Sequence, residues 1–530
     1  MRRIFLLFAL LAFAMHAGAQ GPKVVTLDSP ASLVQIRVMV KAGSAQDPPG
    51  KEGLASLAGD MLIQGSFGDA KNPVTKEKLA EITRPWGEGA YPSVRVGKET
   101  TVFSMSVPRD AVAAYVRQVF GPMFTQPRFD AKELDRLRGE SLQVLRSNVR
   151  LEQTELLGLV ALDNAVHAGT SYAHPERGTE RGLENVTADD VRAFYATYYR
   201  AENIVLGVST ADAATAEPLR AALAGAGKLD GWPLTPRAVE APKAVEGRDV
   251  LIIALPNAIS TGIHAGFPLP VTRKDADYWP LYIANIWFGT HRDSFGFLYN
   301  AIRADRGYNY GDYSYMEHFE ARPAAMFPPV NFPRRHHYFS IWLRPVQHDY
   351  AYHLMKAFTW ELGQFIRTGL TDEQCEQAKN KARVLYLSLA ETGSRLLAYR
   401  LDDEFYGMAP GYLEGYLKQV DGVTCSAVNA AIRKHLQARN LKYVVVTSAE
   451  MAPKIAEQIA ANQPAWGKAP ADYQIDVKED NGAKVYTVPE KKLQLLQRDA
   501  AWAYYPLNVP RERIRIVSAE KMFETAEIPK

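Results

Sequence analysis

Arg303 and Tyr310 are the residues whose types and spacing point most directly to chemistry. They lie in FGFLYNAIRADRGYNYGDYSY, residues 295–315. A guanidinium and a phenol side by side can both donate hydrogen bonds to a carbonyl oxygen that is gaining negative charge. The same pair also reads as a structural arginine and a core tyrosine. Phe295, Leu298, Tyr299 and Ile302 recur at i, i+3, i+4 and i+7, which predicts one apolar face of a helix. Arg303 stands one turn beyond Tyr299, at the edge of that face. Gly307 supplies a stop, because glycine accepts the left-handed conformation that ends a helix. Tyr308, Tyr310, Asp312 and Ser314 then alternate with Asn309, Gly311, Tyr313 and Tyr315, which predicts a strand. A helix, a turn and a strand in that order bring Arg303 and Tyr310 together.

Other chemistries find less support. There is no G-x-x-x-x-G-K-[ST] phosphate loop and no G-x-S-x-G nucleophile elbow. The 11 histidines form neither H-E-x-x-H nor H-x-x-E-H. His336 and His337, with His348 and His353 downstream, are the densest group. Neighbours on a strand point to opposite faces, so His336 and His337 do not form a two-ligand metal site, and a surface or interface reading is preferred for the group. Asp60 could form a carboxylate pair with Glu52 or Glu140, although solvated charge is the simpler reading. Cys375 and Cys425 allow one bridge or two separate thiols, and are too few for a cysteine-rich zinc site.

The elements that would position such residues belong to an ordinary globular protein. Of 530 residues, 47% are hydrophobic and 23% charged, and the net charge is only +3. Nothing in that balance suggests nucleic acid. Arg2 and Arg3 precede the apolar run Ile4–Met15, and Ala17-Gly18-Ala19 fits a cleavage pattern. Residues 1–19 therefore read as a signal peptide cut after Ala19. The expected location is the periplasm, with secretion as the other outcome and no membrane span after cleavage.

Behind the signal the chain repeats itself. Val186 and Asn203 bracket a helix and lead into a strand; Val423 and Asn440 do the same, and each pair is 17 positions apart. Thr101–Val107 before a helix matches Tyr338–Leu343 before the helix Tyr350–Phe365. Asp130–Leu157 reads as one long helical region. Repeats in the same order predict two homologous α+β domains, each a mixed or antiparallel sheet faced by helices. Their expected bounds are 20–223 and 249–465, joined by a linker over 224–248. Residues 466–530 have no counterpart and read as an ordered tail packed on the body or on a partner.

Taken together, these features resemble the pitrilysin/insulinase family of zinc peptidases in its two-domain form. VMVKAGSAQDP (38–48) with GKEGLASLAGDMLIQG, Tyr198-Tyr199 with Asn203, and LYNAIRADRGYNY (298–310) carry the resemblance. The family's zinc helix reads G-x-x-H-x-x-E-H-M. Laid from Gly53 to Met61, this chain puts Ser56, Gly59 and Asp60 where histidine, glutamate and histidine belong. The third ligand, a glutamate of the long helix, falls near Gln143. Serine and glycine can neither bind zinc nor take a proton from zinc-bound water. The resemblance therefore implies a subunit with no zinc of its own. Its Arg303 and Tyr310 would serve, in trans, the zinc of a homologous partner acting on unfolded peptides. The alternatives are an inactive peptide-binding or scaffold protein, and an independent hydrolase with a changed site around Asp60.

Overall fold

The computed structural model describes residues 21–529, except 211, 230, 233–234, 321–324, 468–475 and 488–489. The expected signal peptide lies outside the described residues. Two sheets organise the chain. The first contains β1 (Lys23–Thr26), β2 (Leu33–Val40), β3 (Ser93–Val96), β4 (Thr101–Pro108) and β5 (Ile204–Val208), in spatial order β1-β5-β2-β4-β3. The second contains β6 (Arg248–Leu255), β7 (Thr261–Leu269), β8 (Asn309–Tyr315), β9 (His337–Val346) and β10 (Leu441–Ser448), in order β6-β10-β7-β9-β8. In each sheet the first strand is parallel to its neighbour and the other pairings are antiparallel. The internal repeat is thus real in three dimensions, and the fold is the expected α+β pair.

The tail enters this scheme in two places. After a hairpin of β11 (Asp476–Asp480) and β12 (Ala483–Thr487), strand β13 (Ile514–Ser518) adds in parallel to β6 and extends the second sheet. The last residues then reach the first half: Phe523 and Glu524 accept backbone hydrogen bonds from Glu180 and Arg181 at 2.9 and 3.0 Å.

Each sheet buries one face under its own helices. Val34, Ile36, Val38 and Val40 alternate along β2 and enter a core with Leu54, Leu57, Ala58 and Met61 of α1 (Leu54–Gln64). The opposite face of each sheet is covered by a helix from the other half. Here the sequence expectation of one long helix over 130–157 needs correction. The chain runs helically from α2 (Ala131–Val144) through a wide π-type turn to Glu152, then breaks at Gln153, which is extended at φ −142° and ψ 133°. The break frees α3 (Thr154–Val166) to turn onto the second sheet, where Leu157, Ala161 and Leu162 pack on Leu251, Ile253, Val444 and Val446. Local periodicity did not show this break, because long-range packing sets it. In return α9 (Gly393–Tyr406) lays Leu397 and Leu401 on Met39, Val102 and Val205 of the first sheet.

Among the helices between these two are α4 (Ala188–Tyr198), α5 (Tyr278–Gly289), α6 (Tyr299–Ala304), α7 (Ala351–Thr368) and α8 (Asp372–Leu389). After α9, α10 (Cys425–His435) precedes the last strand of the repeat. Cys375 of α8 and Cys425 of α10 form a disulfide, with Cα atoms 5.7 Å apart. Opening it by Cys375→Ser is expected to cost roughly 2–4 kcal/mol, since the closed loop loses its restraint in the unfolded chain. A denaturant melt that is unchanged in the variant would show that the bridge contributes nothing.

Candidate functional site

The helix α1 begins at Gly53, whose φ of 109° is left-handed. Its first turn is capped from the preceding loop: Gly53 N and Ala55 N each donate to a carboxylate oxygen of buried Asp47 at 2.7 Å. The helix is therefore held firmly in the place where the chemistry of a zinc helix would be expected. Ser56 is buried. Gly59 lies against the sheet, and a Cβ there would stand 3.1 Å from Val94 and 3.4 Å from Thr101. The helix has closed onto β3 over the space that a longer side chain would need.

Asp60 is the one carboxylate among these positions. Burial pushes its carboxyl up to about 6; Arg177 and Arg136 pull it down, while Glu140 pushes it up. Gln143 is exposed on α2. The acid of the long helix that acts on Asp60 is Glu140, one of the two partners considered from sequence, and Arg136 holds it at 2.8 Å. Glu52 instead accepts from Thr179 at 3.0 Å. Among the described residues, no three histidine, cysteine, aspartate or glutamate side chains converge to hold a metal. Ser56, Gly59 and Asp60 do not fit zinc, since together they offer one carboxylate and no imidazole. The histidines are dispersed too: His348 meets Thr261 at 2.8 Å and His353 meets the Ala465 carbonyl at 2.7 Å, while His337, expected at a surface or interface, is instead buried beside Tyr406 because β9 lies inside the second sheet.

Arg303 and Tyr310 do come together. Helix α6 is a wide π-type turn, a form often found at functional sites. It ends before Gly307, whose φ is 67°, and β8 returns antiparallel to β9. The Arg303 guanidinium lies 3.9 Å from the centre of the Tyr310 ring and 4.9 Å from that of Tyr299, and donates to the Tyr310 carbonyl at 2.9 Å. Tyr310 is 67% exposed, so the stack faces solvent. The two rings fix the direction of the guanidinium, and its remaining N–H groups can still donate.

The hairpin is anchored by the tail, which sequence reasoning did not foresee. Arg306, three residues after Arg303, makes a buried ion pair of 2.5 Å with Asp499 of α11 (Glu490–Tyr504). Its guanidinium also lies 4.2 Å from the Trp502 ring. The signal was present in the irregular aromatics of the tail, but nothing local ties Asp499 to Arg306.

The insulinase family (Peptidase family M16) profile matches residues 23–178, and the profile of the peptidase M16 inactive domain matches 185–382. The chain belongs to the M16 family. A protein of Bacillus subtilis (strain 168) described as the uncharacterized zinc protease YmxG is 23% identical over 193 residues, which span 36% of this chain and 44% of that protein. Among solved structures, the peptidase M16 inactive domain from Pseudomonas fluorescens superposes with TM-score 0.66 at 21% identity, over 81% of this chain and 96% of that one. A protease from Helicobacter pylori gives 0.65 at 14% identity, over 81% and 97%. The first half of the periplasmic protease PqqL from Escherichia coli gives 0.59 at 16% identity, over 82% and 90%. These likenesses share the fold of this M16 chain.

The position of Asp60 generates a test. Its folded value lies above the ordinary carboxylate value, so between the two the folded chain keeps a proton that the unfolded chain releases. The stability it lends is present at low pH and is lost as pH rises toward about 6. Asp60→Asn is therefore expected to stabilise the protein at pH 8 by roughly 1–3 kcal/mol, with the two proteins converging in acid. Thermal melts at both pH values check this. A less stable variant at pH 8 would mean that Asp60 works there as an ion-pair partner of Arg136 or Arg177.

Proposed function

We propose that this chain is the exported, non-zinc subunit of a two-chain M16 metallopeptidase. It supplies Arg303 and Tyr310 to a homologous partner that carries the zinc. The observation that carries this reading is an asymmetry within the chain. The zinc helix is kept in place and capped, yet offers only Asp60, while the hairpin of Arg303 and Tyr310 is braced, stacked and exposed. Export is supported by the N-terminal sequence, by a disulfide of the kind that oxidising compartments maintain, and by likeness to a periplasmic protease.

The substrate is an extended peptide. The second sheet ends on β8, the strand that begins beside Tyr310, and a strand edge can hydrogen-bond an added peptide backbone. In this role the Arg303 guanidinium and the Tyr310 hydroxyl donate to the carbonyl oxygen under attack and hold it as negative charge develops. The proton of the attacking water and the metal are the partner's share. This chain binds, orients and stabilises.

The test is kinetic. With a zinc-bearing homologue, Arg303→Ala is expected to lower the turnover of a peptide substrate by roughly 10²–10³, the usual loss when one oxyanion donor is removed. Tyr310→Phe, which keeps the ring under the guanidinium but removes the hydroxyl, should fall by less. Unchanged rates in Arg303→Ala would remove the role assigned here.

A further inference from the structure

Tyr310, Asp312 and Ser314 share one face of β8. That face looks onto α5, since Ser314 Oγ donates to Asn285 Oδ1 at 2.8 Å. Tyr313 and Tyr315 point the other way, into an aromatic cluster with Phe319 and Trp342. Asp312 thus sits one residue-pair inward from Tyr310, beneath the stack, and is fully buried. Its Oδ1 accepts from Asn309 Nδ2 at 2.5 Å. Its Oδ2 and the Asn309 Oδ1 are both buried without a hydrogen-bond partner.

An ionised carboxylate offers acceptors only, and an amide oxygen cannot satisfy it. Two orphaned acceptors in a buried position are costly. One proton removes both deficits. With Oδ2–H donating to Asn309 Oδ1 and Nδ2–H donating to Asp312 Oδ1, acid and amide close a two-point pair. We propose that Asp312 stands in the folded chain as the neutral carboxylic acid, paired with the Asn309 amide, and so leaves the Arg303 guanidinium without an anionic partner.

The surroundings agree. Burial drives Asp312 well above the ordinary carboxylate range, against weaker opposition from the Asn309 bond and the charge of Arg303. The packed helix α5, YWPLYIANIWFG, contains no charged residue. On the neighbouring strand Arg344, in register with Gly311, forms an ion pair with Glu155. Tyr313, next in sequence, lies within the field of Asp312 and points away from α5. Arg303 is therefore the cation that an ionised Asp312 would draw on. A charge-assisted bond between them would compete with any substrate carbonyl. A neutral acid holds the hairpin together without spending that charge. Asp312 is a positioning residue, and this consequence rests on the reading of Arg303 as the group that meets the substrate.

The test uses infrared difference spectroscopy on the full-length chain at pH 8. The wild-type protein is expected to show the C=O stretch of a protonated carboxyl that Asp312→Asn lacks. Asn309→Ala should shift that band, because the acid loses its amide partner. Asp312→Asn should melt near the wild-type temperature, since its amide can donate as the acid does, whereas Asp312→Ala should melt several degrees lower. Identical acid-carbonyl spectra in wild type and Asp312→Asn overturn the proposal, and if that variant does not fold, an unshifted spectrum in Asn309→Ala does so instead. The band reports Asp312 alone. Its loss would leave the kinetic test of Arg303 standing, and a failed kinetic test would leave the band in place.

Discussion

The rest of the structure depends on the exchange of two helices between the halves of the chain. α3 covers the second sheet and α9 covers the first, so neither sheet can bury its second face alone. The closeness of the contact is set by glycine. A Cβ on Gly207 would stand 2.5 Å from Leu401, and one on Gly266 would stand 3.4 Å from Leu162. Buried charge then ties the two halves together. Arg334 of the second half reaches Asp163 and Glu176 of the first, each at 2.9 Å. Burial would push Asp163 up, but Arg334 and Lys98 hold it well below the ordinary carboxylate range. Removing either partner of such a pair leaves an uncompensated buried charge, which is why these contacts resist separation.

That constraint decides what the two candidate places can do. α1 is bound by its Asp47 cap on one side and by β3 on the other. It has the stiffness of a catalytic helix without the side chains for it. The hairpin of α6 and β8 stands on the second sheet, with the tail helix behind it through Arg306 and Asp499. Of these two places the hairpin offers donors, half-buried Arg303 and exposed Tyr310, and no metal-binding set forms among the described residues. On the proposed reading, the missing half of the chemistry comes from another chain.

Much of this was legible in the sequence because the signals were local. The alternation from Tyr308 to Tyr315 and the stop at Gly307 each reflect one element and its own periodicity, whereas the helix expected from Phe295 begins only after Gly296 and runs as the π-type turn Tyr299–Ala304. The repeat was legible for the same reason, element by element. What the sequence hid was long-range. The break at Gln153 comes from the need to cover a distant sheet. The joining of β13 to β6, and of Asp499 to Arg306, bridges residues with no shared pattern. The place of Glu140 beside Asp60, with Gln143 turned outward, depends on helix rotation that a motif alignment does not fix. Asp312 read only as one residue of an alternating strand; its burial comes from α5 above it.

The central claim is that this chain completes a peptidase without being one. The most direct measurement is peptide hydrolysis by the purified chain alone, by a zinc-bearing M16 homologue from the same organism alone, and by the two together, with zinc content determined for each. The account expects zinc only in the homologue and hydrolysis that saturates at one copy of each chain. Stoichiometric zinc and full activity in the isolated chain would contradict it.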